Sequence, residues 1–300
     1  MNNPFLEENK QPYNSVPFEL INSNHFLPAI KHYIKITEEN IENICNNQAD
    51  PNFENTIVAF ESADEDLDYV VTVYHHMFSS EADDKIKELI KEINPITTKL
   101  YNDIFLNEAL FNRIKIVYSN KNKLNNSDSR LLEEIYYGFI KSGANLDNKA
   151  QKRYREISQE LSALSPRFSN NVLNATNSIN DYWISDKNNL KGLPENIIES
   201  AKNRAKIKNK PAKWCFSLDT DAYVFMLFCE NRDLRKDIVI KSSTKCNGGE
   251  FNNNNILKKI SQFRHERANL LGFDTHADFI LDRRMANSKE IVYDFINKLL

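Results

Sequence analysis

Glycine is scarce in this chain, with only six in 300 residues. A sandwich or barrel needs many tight turns, and six glycines are too few to supply them. Cysteine is scarce too. Cys45, Cys215, Cys229 and Cys246 are widely spaced with no Cys-x-x-Cys pair, so neither a zinc knuckle nor a dense disulfide framework is indicated, and free thiols in a reducing compartment are expected. No run of about 18 uncharged apolar residues occurs, and the start "MNNPFLEENKQPYNS" lacks a basic region followed by an apolar core. A cytoplasmic protein with no membrane partner is expected. The net charge is −3 with no block of Lys and Arg, which argues against a nucleic-acid partner.

What remains is a soluble globular composition, 41% hydrophobic, whose apolar residues recur mainly at helical spacing. The fold class expected is mainly α, with at most a small two-stranded sheet. An extended lead covers residues 1–24. A helical region, 25–178, follows. Its first helix runs from Pro28 with Ile30, Ile34, Ile41 and Ile44 on one side. Ile57, Phe60, Leu67, Val71, Tyr74 and Phe78 mark a second, long helix. Ile86, Leu89, Ile90 and Ile93 mark a third, which Pro95 is expected to kink or break. After the turn "NKNKLNNSDS", Asp128 or Ser129 is expected to cap a helix through Leu132, Ile135 and Phe139 that Gly143 ends. Ala150, Tyr154, Ile157, Leu161, Leu164, Phe168 and Val172 define a helix of more than six turns, with Pro166 bending it.

The region 179–300 is read as helical with two short strands, "SINDYWIS" around Ile179–Ile184 and "KWCFSLD" around Trp214–Leu218. Pro194 sits near the first turn of the helix between them. A single helix is expected from Tyr223 to about Ser242, and "TKCNGGEFNNNN" as an exposed, mobile loop.

The stretch "RHERANLLGFDTH" comes close to a zinc-protease helix. Such a helix needs histidines at i and i+4 with the adjacent Glu placed to activate water. Here His265-Glu266 is followed by Asn269, a poor zinc ligand, and His276 is one position late for the longer form of the motif. His265 and Glu266 are therefore expected on the solvated face, with Leu270, Leu271 and Gly272 packing. His75-His76 diverge on a helix, and His25 and His32 lack a third ligand. Glu61, Asp64, Glu65, Asp66 and Asp68 form an acidic cluster able to attract a cation or a basic peptide; the simpler reading is a solvated helix side opposite Leu67 and Val71.

A series of fragments, in order, resembles the thimet oligopeptidase family of zinc metallopeptidases, most of all its bacterial peptidyl-dipeptidase branch. The series begins with "NPFL" at Asn3, "PY" at Pro12, "PFELI" at Pro17 and "HFLPAI" at His25. "FENTIVAFE" at Phe53, "LFNRI" at Leu110, "RLLEEIYYGFIKSGANL" at Arg130 and "ISQELSALSPRFSNNVLNATNSI" at Ile157 continue it. "GLPE" at Gly192, "NRDLR" at Asn231 and the pattern Asn255-Ile256, Ile260, Arg264, Ala268, Leu270-Leu271-Gly272, Met285-Ala286 complete it. The fragments span essentially the whole sequence. Pro166 departs from the family's uninterrupted helix.

The resemblance implies the N-terminal, channel-wall part of a multi-helical enzyme that cleaves short peptides, releasing dipeptides from C termini. Its zinc-binding His-Glu-x-x-His helix and further glutamate ligand would follow Leu300. The apolar stripe Val292, Phe295, Ile296 and Leu299, with no capping Gly, is read as a chain cut before its catalytic domain. On this reading no catalytic, cofactor or metal residue lies in the chain, which alone is expected to be inactive. Zinc belongs to the full-length protein, and the partners are short peptide substrates and the missing catalytic region. The alternative is a non-catalytic helical peptide-binding or scaffold module.

Overall fold

A computed structural model describes residues 3–80, 83–179 and 181–300. The architecture is mainly α, with one two-stranded sheet among the described residues. The chain divides into two compact units, Met1–Ala163 with Gln262–Leu300, and Leu164–Ser261.

The first unit opens with short 3-10 turns that bring Phe5 against Phe26, ring centroids 5.2 Å apart. Helix α1 spans Ser23–Asn46, starting before Pro28 rather than at it. The reason is local. Asn22 accepts from the Asn24 amide, and the His25 ring closes the reciprocal bond to the Asn22 amide at 3.2 Å, so the helix is capped upstream of the proline. Phe26, Ile30, Ile41 and Ile44 are buried as an apolar stripe demands.

The expected second helix is interrupted. A wide π turn at Phe53–Val58, held by reciprocal Asn52 and Asn55 side-chain bonds, leads into the short α2, Ala59–Glu61. A turn at residues 62–64 then precedes α3, Glu65–Ser80. Asn40 donates to the Ala63 carbonyl at 3.0 Å and pins this turn to α1. The apolar periodicity misses the break because Ile57, Leu67 and Tyr74 are all fully buried on either side of it.

Helix α4 runs unbroken through Pro95, from Asp84 to Phe105, and α5 spans Glu108–Ser119. Helix α6, Asn126–Lys141, is capped by Asn125, whose side chain accepts from the Asp128 amide; neither Asp128 nor Ser129 is the cap. Gly143 ends it at φ 95°, with the Ala144 amide reaching back to the Phe139 carbonyl. These helices enclose the larger core, centred on Tyr74, Phe26 and Phe139. Helix α7 is continuous from Asn148 to Ile179, and the boundary between the units falls within it, three residues before Pro166.

In the second unit, β1 (Asp181–Ile184) pairs antiparallel with β2 (Trp214–Ser217), Tyr182 opposite Phe216 and Ile184 opposite Trp214. This is the expected pair, although Asn180 lies outside the described residues. Helix α8, Glu195–Ile207, packs Ala201 into the unit's own core with Phe216 and Phe225, and its Ala205 is fully buried. Between Tyr223 and Ser242 there are two helices, not one: α9, Ala222–Phe228, and α10, Arg232–Ser243. Asn231 separates them by capping α10 through the Asp233 and Leu234 amides.

The asparagine-rich segment is not free of the core. Asn253, only 4% exposed, donates to the Phe168 carbonyl and accepts from Asn171, while Lys245 donates to Thr176. A buried carboxamide anchors a stretch whose composition offers little else to bury.

Candidate functional site

Helix α11 spans Asn254–Leu270, and its final turns, which carry the near-miss motif, lie in the first unit. Ala268 is fully buried there, Leu270 and Leu271 are half-buried, and His265 projects into solvent. Gly272 itself is exposed; it stops the helix at φ 85°, and the Phe273 amide returns to the Ala268 carbonyl.

Asn269 has a structural task. Its side-chain amide donates to the Phe273 carbonyl at 2.8 Å and the Asp274 carbonyl at 3.0 Å, clamping the loop that follows. A histidine has one ring N–H at this reach and no geometry to serve both carbonyls. Thr275 then caps α12, His276–Leu281.

Glu266 departs from its expected place on the solvated face. It is half-buried and forms a two-point ion pair with Arg153 of α7. That pairing holds its carboxyl below the ordinary range. An acid already neutralised by a guanidinium is poorly suited to take a proton from a metal-bound water. The partner, 113 residues earlier, has no signal in the local sequence.

The surroundings are basic and aromatic. Arg267 lies over the Phe279 ring at 5.5 Å, and burial lowers its pKa. His276 has its Nδ1 buried without a partner; burial, then the Arg264 and Arg267 charges, keep it neutral more readily than an ordinary histidine. Lys141 donates to the Phe279 carbonyl at 2.8 Å and pairs with Asp282 at 3.2 Å. These contacts tie α6, α7, α11 and α12 together with charge-assisted bonds and cation–π stacking.

The other candidates are dispersed. His25 serves the α1 cap, and His75 and His76 are exposed on α3. Cys215 and Cys229 are buried, Cys45 and Cys246 are half-buried, and all four thiols are free. Of the acidic cluster, Glu61, Glu65, Asp66 and Asp68 are exposed, whereas Asp64 is half-buried and accepts from the Tyr101 hydroxyl at 3.0 Å. Among the described residues no three His, Cys, Asp or Glu side chains converge where they could hold a metal ion. The donor set seen here does not fit zinc.

Helix α13, Lys289–Leu299, half-buries Val292 and leaves its other apolar residues exposed. Ile291, Phe295 and Leu299, one turn apart, are 53%, 62% and 72% exposed.

Residues 225–300, which include the near-miss helix and α13, match the family model described as Peptidase family M3. The whole chain is 28% identical to oligopeptidase A of Escherichia coli (strain K12), covering 100% of this chain and 44% of that protein. It is 28% identical to dipeptidyl carboxypeptidase of the same organism, over 99% of this chain and 44% of the relative. The probable cytosolic oligopeptidase A of Arabidopsis thaliana is 25% identical over 95% of this chain and 41% of its own length. The chain thus spans less than half the length of these relatives. Its likeness to the oligopeptidases holds from end to end, and the chain is a relative of oligopeptidase A and dipeptidyl carboxypeptidase that carries a Peptidase family M3 match in its last quarter.

Proposed function

We propose that this chain forms a helical wall of the channel of a zinc-dependent metallopeptidase that cleaves short peptides, releasing dipeptides from their C termini. The zinc, its ligands and the catalytic glutamate are assigned to sequence outside these 300 residues. The observation that carries this reading is the end-to-end similarity to oligopeptidase A and dipeptidyl carboxypeptidase over 44% of their length. One feature of the chain supports it: the apolar face of α13 is uncovered, as expected of a helix that packs on a further segment.

The division at residues 1–24, 25–178 and 179–300 is proposed as the order in which the wall is built along the chain. A cytoplasmic location is proposed too, supported by the cytosolic relative and by the absence, among the described residues, of a helix long and apolar enough to cross a membrane. In the whole enzyme the metal would polarise the peptide carbonyl and activate water, while this chain would hold and orient peptides.

The test is product analysis with the full gene product on blocked oligopeptides, with zinc present and after chelation. Zinc-dependent release of C-terminal dipeptides is expected. Cleavage only at internal bonds would refute the dipeptide assignment, and no zinc-dependent cleavage at all would favour a non-catalytic peptide-binding or scaffold module.

A further inference from the structure

Of the chain's glycines only Gly248 follows an asparagine, Asn247. The pair stands exposed in the asparagine-rich loop, outside any helix or strand. The base of that loop is fixed: the Asn253 amide donates to the Cys246 carbonyl at 3.0 Å, the Asn247 amide donates to the Thr244 carbonyl at 2.9 Å, and Asn253 is buried. The tip has room. A Cβ added at Gly248 would meet nothing within 4 Å, so the backbone there can turn onto a neighbouring side chain without displacing another.

An asparagine followed by glycine holds an electrophile and a nucleophile within reach of one five-membered ring. The electrophile is the carboxamide carbon, Cγ, and the nucleophile is the next residue's amide nitrogen, whose approach a Cβ on that residue would crowd. Asn14 is exposed as well, but Ser15 follows it and brings that crowding.

A second feature is absent from the sequence pair. Asn254, the first residue of α11, donates from its side-chain amide to Asn247 Oδ1 at 2.9 Å. That oxygen is where negative charge gathers when a nucleophile adds to Cγ, so the donor both aims the carboxamide and stabilises the adduct. Asn254 is itself held, its backbone amide donating to Asn252 Oδ1 at 3.0 Å.

We propose that Asn247 is a self-modification site, converted to aspartate and isoaspartate by attack of the Gly248 nitrogen with Asn254 as the hydrogen-bond donor. The Gly248 nitrogen bonds to Cγ, the Cγ–Nδ2 bond breaks, and the side-chain nitrogen leaves as ammonia, carrying the proton that the Gly248 amide gives up. A succinimide results. Water then opens it at Cγ, giving aspartate, or at the backbone carbonyl, giving isoaspartate with the chain running through Cγ. Nothing is oxidised or reduced. Either product sets a new negative charge beside the start of α11, where the helix dipole favours it. This inference does not depend on the peptidase reading.

The test is peptide mapping by mass spectrometry of the folded 300-residue chain, sampled over time at neutral and mildly alkaline pH. The peptide holding Asn247 is expected to convert before any other asparagine, to give two products of equal mass, and to react faster at the higher pH. Asn254→Asp keeps the side chain's shape, removes its N–H donor and suits a helix start. It should slow the conversion about tenfold with Tm nearly unchanged. Earlier conversion of Asn14 or any other asparagine would overturn the site, and a rate in Asn254→Asp equal to or above that of wild type would overturn the role of the donor. Should that variant fail to fold, Asn254→Ala, which removes the donor from the same exposed side chain, decides by the same rate.

Discussion

Arg153 on α7 grips Glu266 on α11 at two points, Nε to Oε1 at 2.6 Å and Nη2 to Oε2 at 2.9 Å. The glutamate that looks like the general base of a zinc helix is thus one half of an interhelical strut. Its carboxyl is held below the ordinary glutamate range. A carboxyl depressed on folding adds stability above its unfolded pKa of about 4.3, and that stability is lost as pH falls through the lower folded value. Glu266→Gln should therefore lower Tm most at neutral pH and low salt, with the gap to wild type closing in acid and in high salt. Thermal melts between pH 3 and pH 7 check this; a gap independent of pH would remove the ion pair from the explanation.

Asn269 and His265 offer a sharper contrast, because a metal site would need the histidine and the observed loop needs the asparagine. Asn269→Ala loses both carbonyl contacts of the clamp and should cost about 1 kcal/mol in urea unfolding. His265→Ala, on the exposed face, should stay within about 0.5 kcal/mol of wild type. A reversed order would mean that the clamp is not what holds this turn.

Two glycines in the left-handed region separate strain from collision. A Cβ on Gly192, φ 87°, would stand 2.0 Å from the Phe228 carbonyl oxygen, whereas one on Gly272, φ 85°, meets nothing within 4 Å. Gly272→Ala should cost about 1 kcal/mol, the price of the backbone conformation. Gly192→Ala must also displace backbone, and should cost about 3 kcal/mol or more. Chemical denaturation of the pair reads the difference directly.

The same residues show what can be read from one dimension. The buried stripe of α1, the strand pair and the Gly143 stop follow from local periodicity and turn chemistry, and all three stand. Asparagine caps carry what apolar spacing does not: Asn22, Asn52, Asn125 and Asn231 each start an element where apolar spacing alone runs on or begins late. Asn is as good a cap as Ser or Asp, but this chain is so rich in it that composition masks position. What is not legible locally is the long-range pairing. Nothing near Glu266 points to Arg153, and nothing near Asn253 points to Phe168.

The uncovered face of α13 has a consequence in solution. Ile291, Phe295 and Leu299 together make an exposed apolar strip, so the chain should bind a hydrophobic dye in its folded state. Phe295→Glu with Leu299→Glu should roughly halve that fluorescence and leave Tm nearly unchanged, since neither side chain is in the core. Unaltered fluorescence would place the dye elsewhere and weaken the case that α13 awaits a covering segment.

The central claim is that zinc chemistry resides outside these 300 residues, and the most direct measurement is hydrolysis of blocked short peptides by this chain alone, with added zinc and with chelator. No zinc-dependent turnover is expected. Turnover that appears with zinc and vanishes on chelation would contradict the claim and place a working metal site within the chain.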